Sequence, residues 1–142
     1  RWLKRLKFMA ASCLLLTFLT VVLVLAPMVG EGGLYLLLCT GSTRYHHLLN
    51  PLAALFSYLL LEREPHLPRS DVRWALLPTL AYAAVILPLN ILRVIVGPYP
   101  FFEVYHQPVY VSVLWAVGLL GVNYLYAWLL WRLGGGRPRS AR

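Results

Sequence analysis

The sequence predicts an all-α integral membrane protein, a polytopic bundle of four transmembrane helices with both termini in the cytoplasm. Of its 142 residues, 60% are hydrophobic, and the mean hydropathy is +0.68, whereas soluble domains are about 45–50% apolar. The apolar residues gather into four blocks without Lys, Arg, Asp or Glu, at 8–29, 45–61, 74–92 and 107–131. Each block approaches the ~20 helical residues that a hydrocarbon core about 30 Å thick requires.

These blocks predict spans near 8–29, 45–61, 73–97 and 108–132. The first block also has features of a signal peptide, because the preceding RWLKRLK resembles a basic n-region. Its apolar run exceeds the usual 7–15 residues, and Pro27 interrupts the place where a small-x-small cleavage site would stand. We therefore expect a retained helix, and the start at Arg1 rather than at methionine suggests further residues upstream.

The distribution of basic residues predicts the orientation. Of the 13 Lys and Arg residues, all except Arg44 and Arg93 fall in the N-terminal segment, the 62–73 loop and the C-terminal segment. Four spans put these three segments on one side, and the positive-inside rule makes that side cytoplasmic. The net charge of +8 then reflects topology and contact with anionic headgroups. Membrane lipids are the predicted partners and nucleic acid is not; the predicted location is the bacterial cytoplasmic membrane.

One domain is expected, a transmembrane four-helix bundle over residues 1–133, followed by a flexible basic tail over 134–142. The outer connection at 30–44 contains LYLLLC, which is too short to cross a bilayer and is expected to lie at the interface. Either Ser70 or Asp71 is expected as the N-cap of the third span.

Neither a metal nor a cofactor is predicted. Cys13 lies in the inner half of the first span and Cys39 in the outer connection, too far apart for a disulfide, which needs Cα atoms within about 7 Å. Neither belongs to a CxxC motif, so small apolar fillers are expected. His46 and His47 point about 100° apart on a regular helix and cannot both ligate one ion.

Polar side chains at membrane depth are functional candidates because their burial is costly. The predicted orientation gathers most of them at the outer end of the bundle. His46 and Asn50 share a helix face at i, i+4. Arg93 is expected near the level of Glu103, which suggests an ion pair. Asn123 is expected near mid-membrane. The outer set is His46, His47, Asn50, Asn90, Arg93, Tyr99, Glu103 and His106.

Two interpretations of this outer set stay open. In the structural one, Arg93 and Glu103 neutralise each other, and the aromatic residues of GPYPFFEVYHQP form an interfacial belt. Pro98 and Pro100 then stiffen the loop, which Glu103 holds by accepting hydrogen bonds from Arg93 or from the amides that open the fourth span. In the functional interpretation, the set lines a ligand-binding or catalytic pocket.

Three motifs resemble a known family: YHHLLNP at 45–51, GPYPFFEV at 97–104 and GVNYLYAWL at 121–129. They are similar to the C-terminal four spans of the androgen-induced-gene-like family of integral membrane proteins and its uncharacterised bacterial multi-pass relatives. The family pattern has a histidine shortly before a proline at the start of a span, then a Tyr-Pro-Phe-x-Glu loop, then Asn with aromatics in the last span. The resemblance covers residues 1–133 and implies six spans, of which this chain would carry the last four.

The resemblance also implies an activity. Animal members are threonine hydrolases that cleave fatty-acid esters of hydroxy fatty acids with an intramembrane Thr and His. By spacing to Pro51, the catalytic histidine corresponds to His46, with His47 as the runner-up; such a base activates the Thr hydroxyl, and Asn50 would orient its ring. The family's nucleophilic Thr belongs to an earlier span, and the threonines of LLTFLTVV at 15–22 only resemble its context.

Three functional hypotheses follow. The chain is the C-terminal part of an intramembrane lipid-ester hydrolase with His46 as base, a non-enzymatic lipid-binding or membrane assembly module, or a small transporter subunit. No span interior carries a charge pair, which disfavours the transporter. The first hypothesis needs N-terminal spans as partners, and a homo-oligomer is the other assembly expected.

Overall fold

The computed structural model describes residues 2–61, 67–97 and 99–134, which form helices and loops without a strand. Within these ranges the long helices are α1 (Trp2–Val29), α3 (45–61), α4 (Asp71–Ile91) and α5 (Val109–Leu133), and the short α2 (Gly33–Cys39) links α1 to α3. A 3₁₀ turn, Pro100–Phe102, lies between α4 and α5. The predicted all-α class is therefore confirmed for the described part of the chain.

In that part, three helices are long and apolar enough to cross a membrane: α1, α4 and α5. α3 has 17 residues, 45–61, and the residues that follow it at 62–66 lie outside the described ranges. α2 covers LYLLLC and has exposed side chains at Leu34, Tyr35 and Leu36, as suits a segment too short to span. The structure is thus compatible with an integral membrane bundle.

The prolines inside α1 and α3 follow π-helical turns. In α1 the wide turn Val21–Leu25 ends with the Ala26 amide donating to the Val21 carbonyl, directly before Pro27. In α3 the turn Tyr45–Leu49 ends with the Asn50 amide donating to the Tyr45 carbonyl, directly before Pro51. A proline removes one i→i−4 hydrogen bond, and its ring crowds the carbonyl one turn earlier. A wider turn re-satisfies the backbone locally, so both helices continue through their prolines.

The cluster of buried apolar residues lies at one end of the bundle, which we call the basic end. This end holds the start of α1, residues 67–74 and the last turns of α5. The rings of Phe8 and Tyr58 lie 5.7 Å apart, and Trp131 Nε1 donates to the Leu67 carbonyl at 2.8 Å. The first contact joins α1 to α3, and the second joins α5 to the segment that precedes α4. The buried cluster comprises Phe8, Ala11, Tyr58, Leu67, Val72, Ala75, Ala127, Leu130 and Trp131.

Charged contacts follow the same division. The basic end carries Lys4, Arg5, Lys7, Arg69, Arg73 and Arg132. Arg5 Nε lies 3.0 Å from Asp71 Oδ2, a carboxylate with no exposed surface. Ser70 occupies the N-cap position of α4, one of the two predicted alternatives, without a capping side-chain hydrogen bond. We call the opposite end, with the connections at 30–44 and 92–108, the loop end.

A polar hub ties three helices together near the middle of the bundle. Asn123 of α5 is fully buried, as is Ser12 of α1. The Ser12 hydroxyl donates to Asn123 Oδ1 at 3.1 Å, and Asn123 Nδ2 donates to the Thr79 hydroxyl of α4 at 2.7 Å. Hydrogen bonds between small polar side chains are a recurring adhesive between membrane helices, so the hub fixes α4 against α1 and α5.

The predicted extension of the third span to residue 97 is wrong, because α4 ends at Ile91. The Arg93 amide donates to the Asn90 carbonyl and the Val94 amide to the Leu89 carbonyl, both at 2.9 Å. This pattern is a Schellman motif, which ends a helix through a residue in the left-handed region. Arg93 is that residue, with φ of 58°, so it ends the helix instead of continuing it.

The predicted tail, 134–142, lies outside the described residues except for Gly134, whose amide donates to the Leu130 carbonyl at 2.8 Å. Cys13 and Cys39 are both free thiols. Cys13 belongs to α1 and lines a cavity between α1 and α4. Cys39 is exposed at the end of α2.

Candidate functional site

Asn90 holds the 92–108 connection at the loop end. Its side chain is 5% exposed. Nδ2 donates to the Ile95 carbonyl at 3.1 Å, and Oδ1 accepts the Val104 amide at 3.2 Å. One amide therefore ties the last turn of α4 to both arms of the connection, which explains why a polar side chain stands near the end of this apolar helix.

Aromatic rings close the space below this connection. Tyr99 stacks on Phe101 at 5.2 Å, and Phe101 lies 5.5 Å from Trp115 of α5. Phe102 meets Tyr82 of α4 edge-on at 5.8 Å. Such pairs each contribute about 0.5–1.5 kcal/mol beyond area burial. These five rings, which we call the aromatic cluster, hold the Pro100–Phe102 turn between α4 and α5.

Two apolar cavities flank α4. The α4–α5 groove has a volume of about 500 Å³, because α5 packs against the first turn of α4 but scarcely against Leu77–Ile91. Its walls are Thr79, Leu80, Ala83, Leu87, Ile91, Phe101, Phe102, Val104, Tyr105, Val109, Ser112, Val113, Trp115, Ala116, Leu119 and Leu120. The α1–α4 cavity, of about 340 Å³, lies on the other side and is lined by Thr17 and Thr20 among others.

A polar cavity of about 440 Å³ adjoins the groove at the loop end. We call it the Arg93 pocket; it is lined by Asn90, Arg93, Val94, Ile95, Val96, Glu103, Tyr105 and His106. Glu103 Oε2 lies 2.7 Å from His106 Nδ1, and the Arg93 guanidinium carbon lies 4.5 Å from the centre of the Tyr105 ring. Tyr105 is a wall of both the pocket and the groove.

Two predictions about this pocket differ in outcome. The prediction that Arg93 or Glu103 finds a partner within the outer polar set is confirmed by the Glu103–His106 pair. The predicted pair between Arg93 and Glu103 is wrong: among the described residues Glu103 pairs with His106, while Arg93 stacks on Tyr105. The Schellman turn directs Arg93 away from the path of a continued helix, which is the physical reason.

The histidines of α3 lie apart from this pocket. His46 and Asn50 are exposed, and within the described ranges no hydrogen bond joins them. His47 Nδ1 lies 3.3 Å from the Leu37 carbonyl. Tyr99 lines the α1–α4 cavity. The outer set therefore separates into the Arg93 pocket, which includes Asn90, Glu103 and His106, a group on α3, and Tyr99.

Sequence reasoning missed Tyr105, Gln107 and the Ser12–Thr79 side of the hub. Gln107 Nε2 donates to the Phe101 carbonyl at 3.1 Å and to the Ser112 hydroxyl at 3.0 Å, which ties the connection to α5. Ser12 stands beside small residues in AASC, a composition typical of close helix contacts in membranes, and that signal could have identified it.

No three His, Cys, Asp or Glu side chains within 2–61, 67–97 and 99–134 are grouped so that they could hold a metal ion. Comparison of the chain with protein-family models, with curated proteins and with solved structures finds no match. The resemblance to the androgen-induced-gene-like family stays a prediction, and the chemistry of the site has to be argued from its own geometry.

Proposed function

We propose that this chain is a four-span protein of the bacterial cytoplasmic membrane, with both termini inside, that acts as a non-enzymatic lipid-binding module. The acyl chain of a membrane lipid occupies the α4–α5 groove. One observation carries the proposal: an apolar cavity of about 500 Å³ lies between two helices that are each long and apolar enough to cross a membrane. Ligand sites typically measure about 300–1,000 Å³.

Most polar groups of the groove are already engaged, which favours a hydrocarbon occupant. The Thr79 and Ser112 hydroxyls accept hydrogen bonds from the side-chain amides of Asn123 and Gln107. The Tyr105 hydroxyl donates to a backbone carbonyl of α4. Apart from the indole N–H of Trp115, the other walls are apolar, so a chain that offers only dispersion contacts fits better than a polar substrate.

The groove also has a reason to be filled. An unfilled space forfeits dispersion contacts for every atom that lines it. Ala83 of α4 and Ala116 of α5 have small side chains, which leaves space between the two helices. Exposed residues such as Leu80 and Val113 form the open rim of the groove. In a bilayer, lipid chains are the apolar molecules at hand, and they can enter sideways through that rim.

The lipid-ester hydrolase with His46 as base stays a prediction that draws no support from this geometry. Such an enzyme needs a nucleophile within hydrogen-bond reach of its base. Thr17 and Thr20 line the α1–α4 cavity, whose lining does not include His46. The Thr17 hydroxyl donates to the Cys13 carbonyl at 3.1 Å. The transporter and homo-oligomer hypotheses likewise stay predictions.

The proposed orientation predicts opposite accessibility at two serines. Ser70 is exposed at the basic end and Ser42 is exposed at the loop end. With Cys13 and Cys39 replaced by serine, Ser42→Cys should react with a membrane-impermeant maleimide in intact cells. Ser70→Cys should react only after the cells are permeabilised. Labelling of Ser70→Cys from outside intact cells would contradict the N-in, C-in topology.

Lipid occupancy predicts a difference between two adjacent alanines. Ala83 lines the groove, whereas Ala84 is exposed outside it. Ala83→Trp should fill the groove and strongly reduce photo-cross-linking by a phosphatidylcholine with a diazirine in its acyl chain. Ala84→Trp adds the same side chain to the same helix and should leave cross-linking to the groove residues unchanged.

The readout is mass-spectrometric mapping of cross-linked peptides after reconstitution into vesicles. In the wild-type protein, cross-links should concentrate on groove residues of α4 and α5 such as Ile91 and Ala116. Cross-links of equal intensity in wild type, Ala83→Trp and Ala84→Trp would mean that lipid merely surrounds the protein, and the lipid-binding proposal would fail.

A further inference from the structure

The Arg93 pocket lies where a headgroup would emerge if a chain filled the groove. Tyr105 forms a wall of both spaces, and the groove residue Ile91 accepts the Tyr105 hydroxyl through its carbonyl. The guanidinium of Arg93 rests over the same ring, with its carbon 4.5 Å from the ring centre. A cation therefore lies at the loop end of the apolar α4–α5 groove. This arrangement matches an anionic amphiphile, which has a negative headgroup and an apolar chain.

The charge of Arg93 is not balanced by the acidic group beside it. Glu103 is the carboxylate of this pocket, and its Oε2 is engaged by His106 Nδ1 at 2.7 Å. Asn90 is occupied with the backbone of the connection. Among the described residues that line the pocket, the guanidinium thus keeps its hydrogen-bond donors for a group from outside.

The backbone conformation of Arg93 also supports a binding role. A left-handed residue in a Schellman motif is usually glycine, since other L-residues adopt that conformation less favourably. Arg93 adopts it with φ of 58°. Strained residues concentrate at binding and functional sites, and here the strain turns a long cationic side chain over the mouth of the groove instead of along the helix.

We propose that Arg93 binds the phosphate of an anionic phospholipid whose acyl chain occupies the α4–α5 groove; this inference rests on the proposed function. Arginine offers a planar set of donors that matches phosphate oxygens. His106 lies within the same pocket and is hydrogen-bonded to Glu103, so the nearby carboxylate is directed to His106 rather than to Arg93. A zwitterionic lipid carries the same phosphate together with a cationic group that Arg93 would repel, so the protein would select anionic over zwitterionic lipids at the outer leaflet.

The test compares acyl-diazirine probes of phosphatidylglycerol and phosphatidylcholine in phosphatidylcholine vesicles. Wild type should favour the anionic probe at the groove by about fivefold, on the scale of the attraction between one basic residue and anionic lipid. Arg93→Gln should abolish that preference. Arg44→Gln is the matched control, because Arg44 also stacks on a tyrosine at the loop end, 4.8 Å from the Tyr45 ring, but away from the groove.

Arg93→Gly separates binding from folding. Glycine relieves the left-handed strain, so this variant should melt at or above the wild-type temperature and still lose the anionic preference. Loss of preference with a lower melting temperature would overturn the inference, because Arg93 would then act as a structural part.

Inorganic phosphate at millimolar concentration should not compete with the lipid probe. If it removes the preference, a free anion and not a lipid headgroup is the ligand.

The two proposals fail differently. Cross-links that map to the groove with equal intensity for both probes, or a preference that survives Arg93→Gln, would overturn the headgroup assignment and leave the lipid-binding function intact. Cross-links that ignore Ala83→Trp with either probe would remove the groove itself and both proposals with it.

Discussion

Replacing Arg5 with methionine is expected to destabilise the folded protein by about 3–5 kcal/mol, the loss typical when one partner of a buried ion pair is removed. The Asp71 carboxylate is fully buried, with Oδ2 at 3.0 Å from Arg5 Nε. Its other oxygen, Oδ1, is buried and has no hydrogen-bond partner among the described residues. Without Arg5, the carboxylate would lose its cation and its one side-chain donor in the described structure.

The companion variants make this prediction specific. Arg5→Met combined with Asp71→Leu should recover most of the loss, since replacing both members of a buried pair by apolar residues of similar size is often near neutral. Arg73→Met, at an exposed position of the same turn, should change stability by no more than about 0.5 kcal/mol. Unfolding followed in detergent checks all three. Wild-type stability for Arg5→Met would show that the contact contributes nothing.

Asn123→Leu should also be strongly destabilising, by about 1–3 kcal/mol, the range for leaving buried hydrogen-bonding groups unsatisfied. Leucine keeps the size but removes the acceptor for Ser12 and the donor for Thr79. The loss falls on three helices at once, because those partners belong to α1 and α4. The free energy of unfolding in detergent measures it.

Two milder variants provide a comparison for the loss of stability expected of Asn123→Leu. Ser12→Ala removes one hydrogen bond and should reduce stability by about 0.6 kcal/mol, the average for such bonds in a membrane protein. Val122→Leu, next to Asn123 but exposed, should be nearly neutral. If Asn123→Leu were as stable as Val122→Leu, the hub would not determine how α4 is held.

Hydropathy was enough to predict where α1, α3 and α5 run, because each is an unbroken apolar block whose length suits a helix. It failed at the end of α4. The segment LRVIV is as apolar as the helix before it, and the stop depends on Arg93 taking a conformation that sequence rules assign to glycine or asparagine. A stop made by an arginine leaves no compositional signal.

The site was less predictable for a different reason. The order and orientation of the apolar blocks correctly place Asn90 and Glu103 at the same end of the bundle, but they do not say which side chains meet across helices. Arg5 and Asp71 are 66 positions apart. In the sequence, each looks like an ordinary charged residue that flanks a membrane span. The groove exists because α4 and α5 diverge, and divergence depends on packing by the aromatic cluster and the hub rather than on any local pattern.

The two cavities beside α4 are separated by a single layer of side chains. Thr79, Phe101, Phe102 and Leu119 line both of them. Protein interiors are close-packed and leave little slack, so a ring displaced by a bulky occupant on one side must move into the space on the other. Volume gained by one cavity would then be volume lost by its neighbour, so a bulky occupant of one would reduce the room for an occupant of the other.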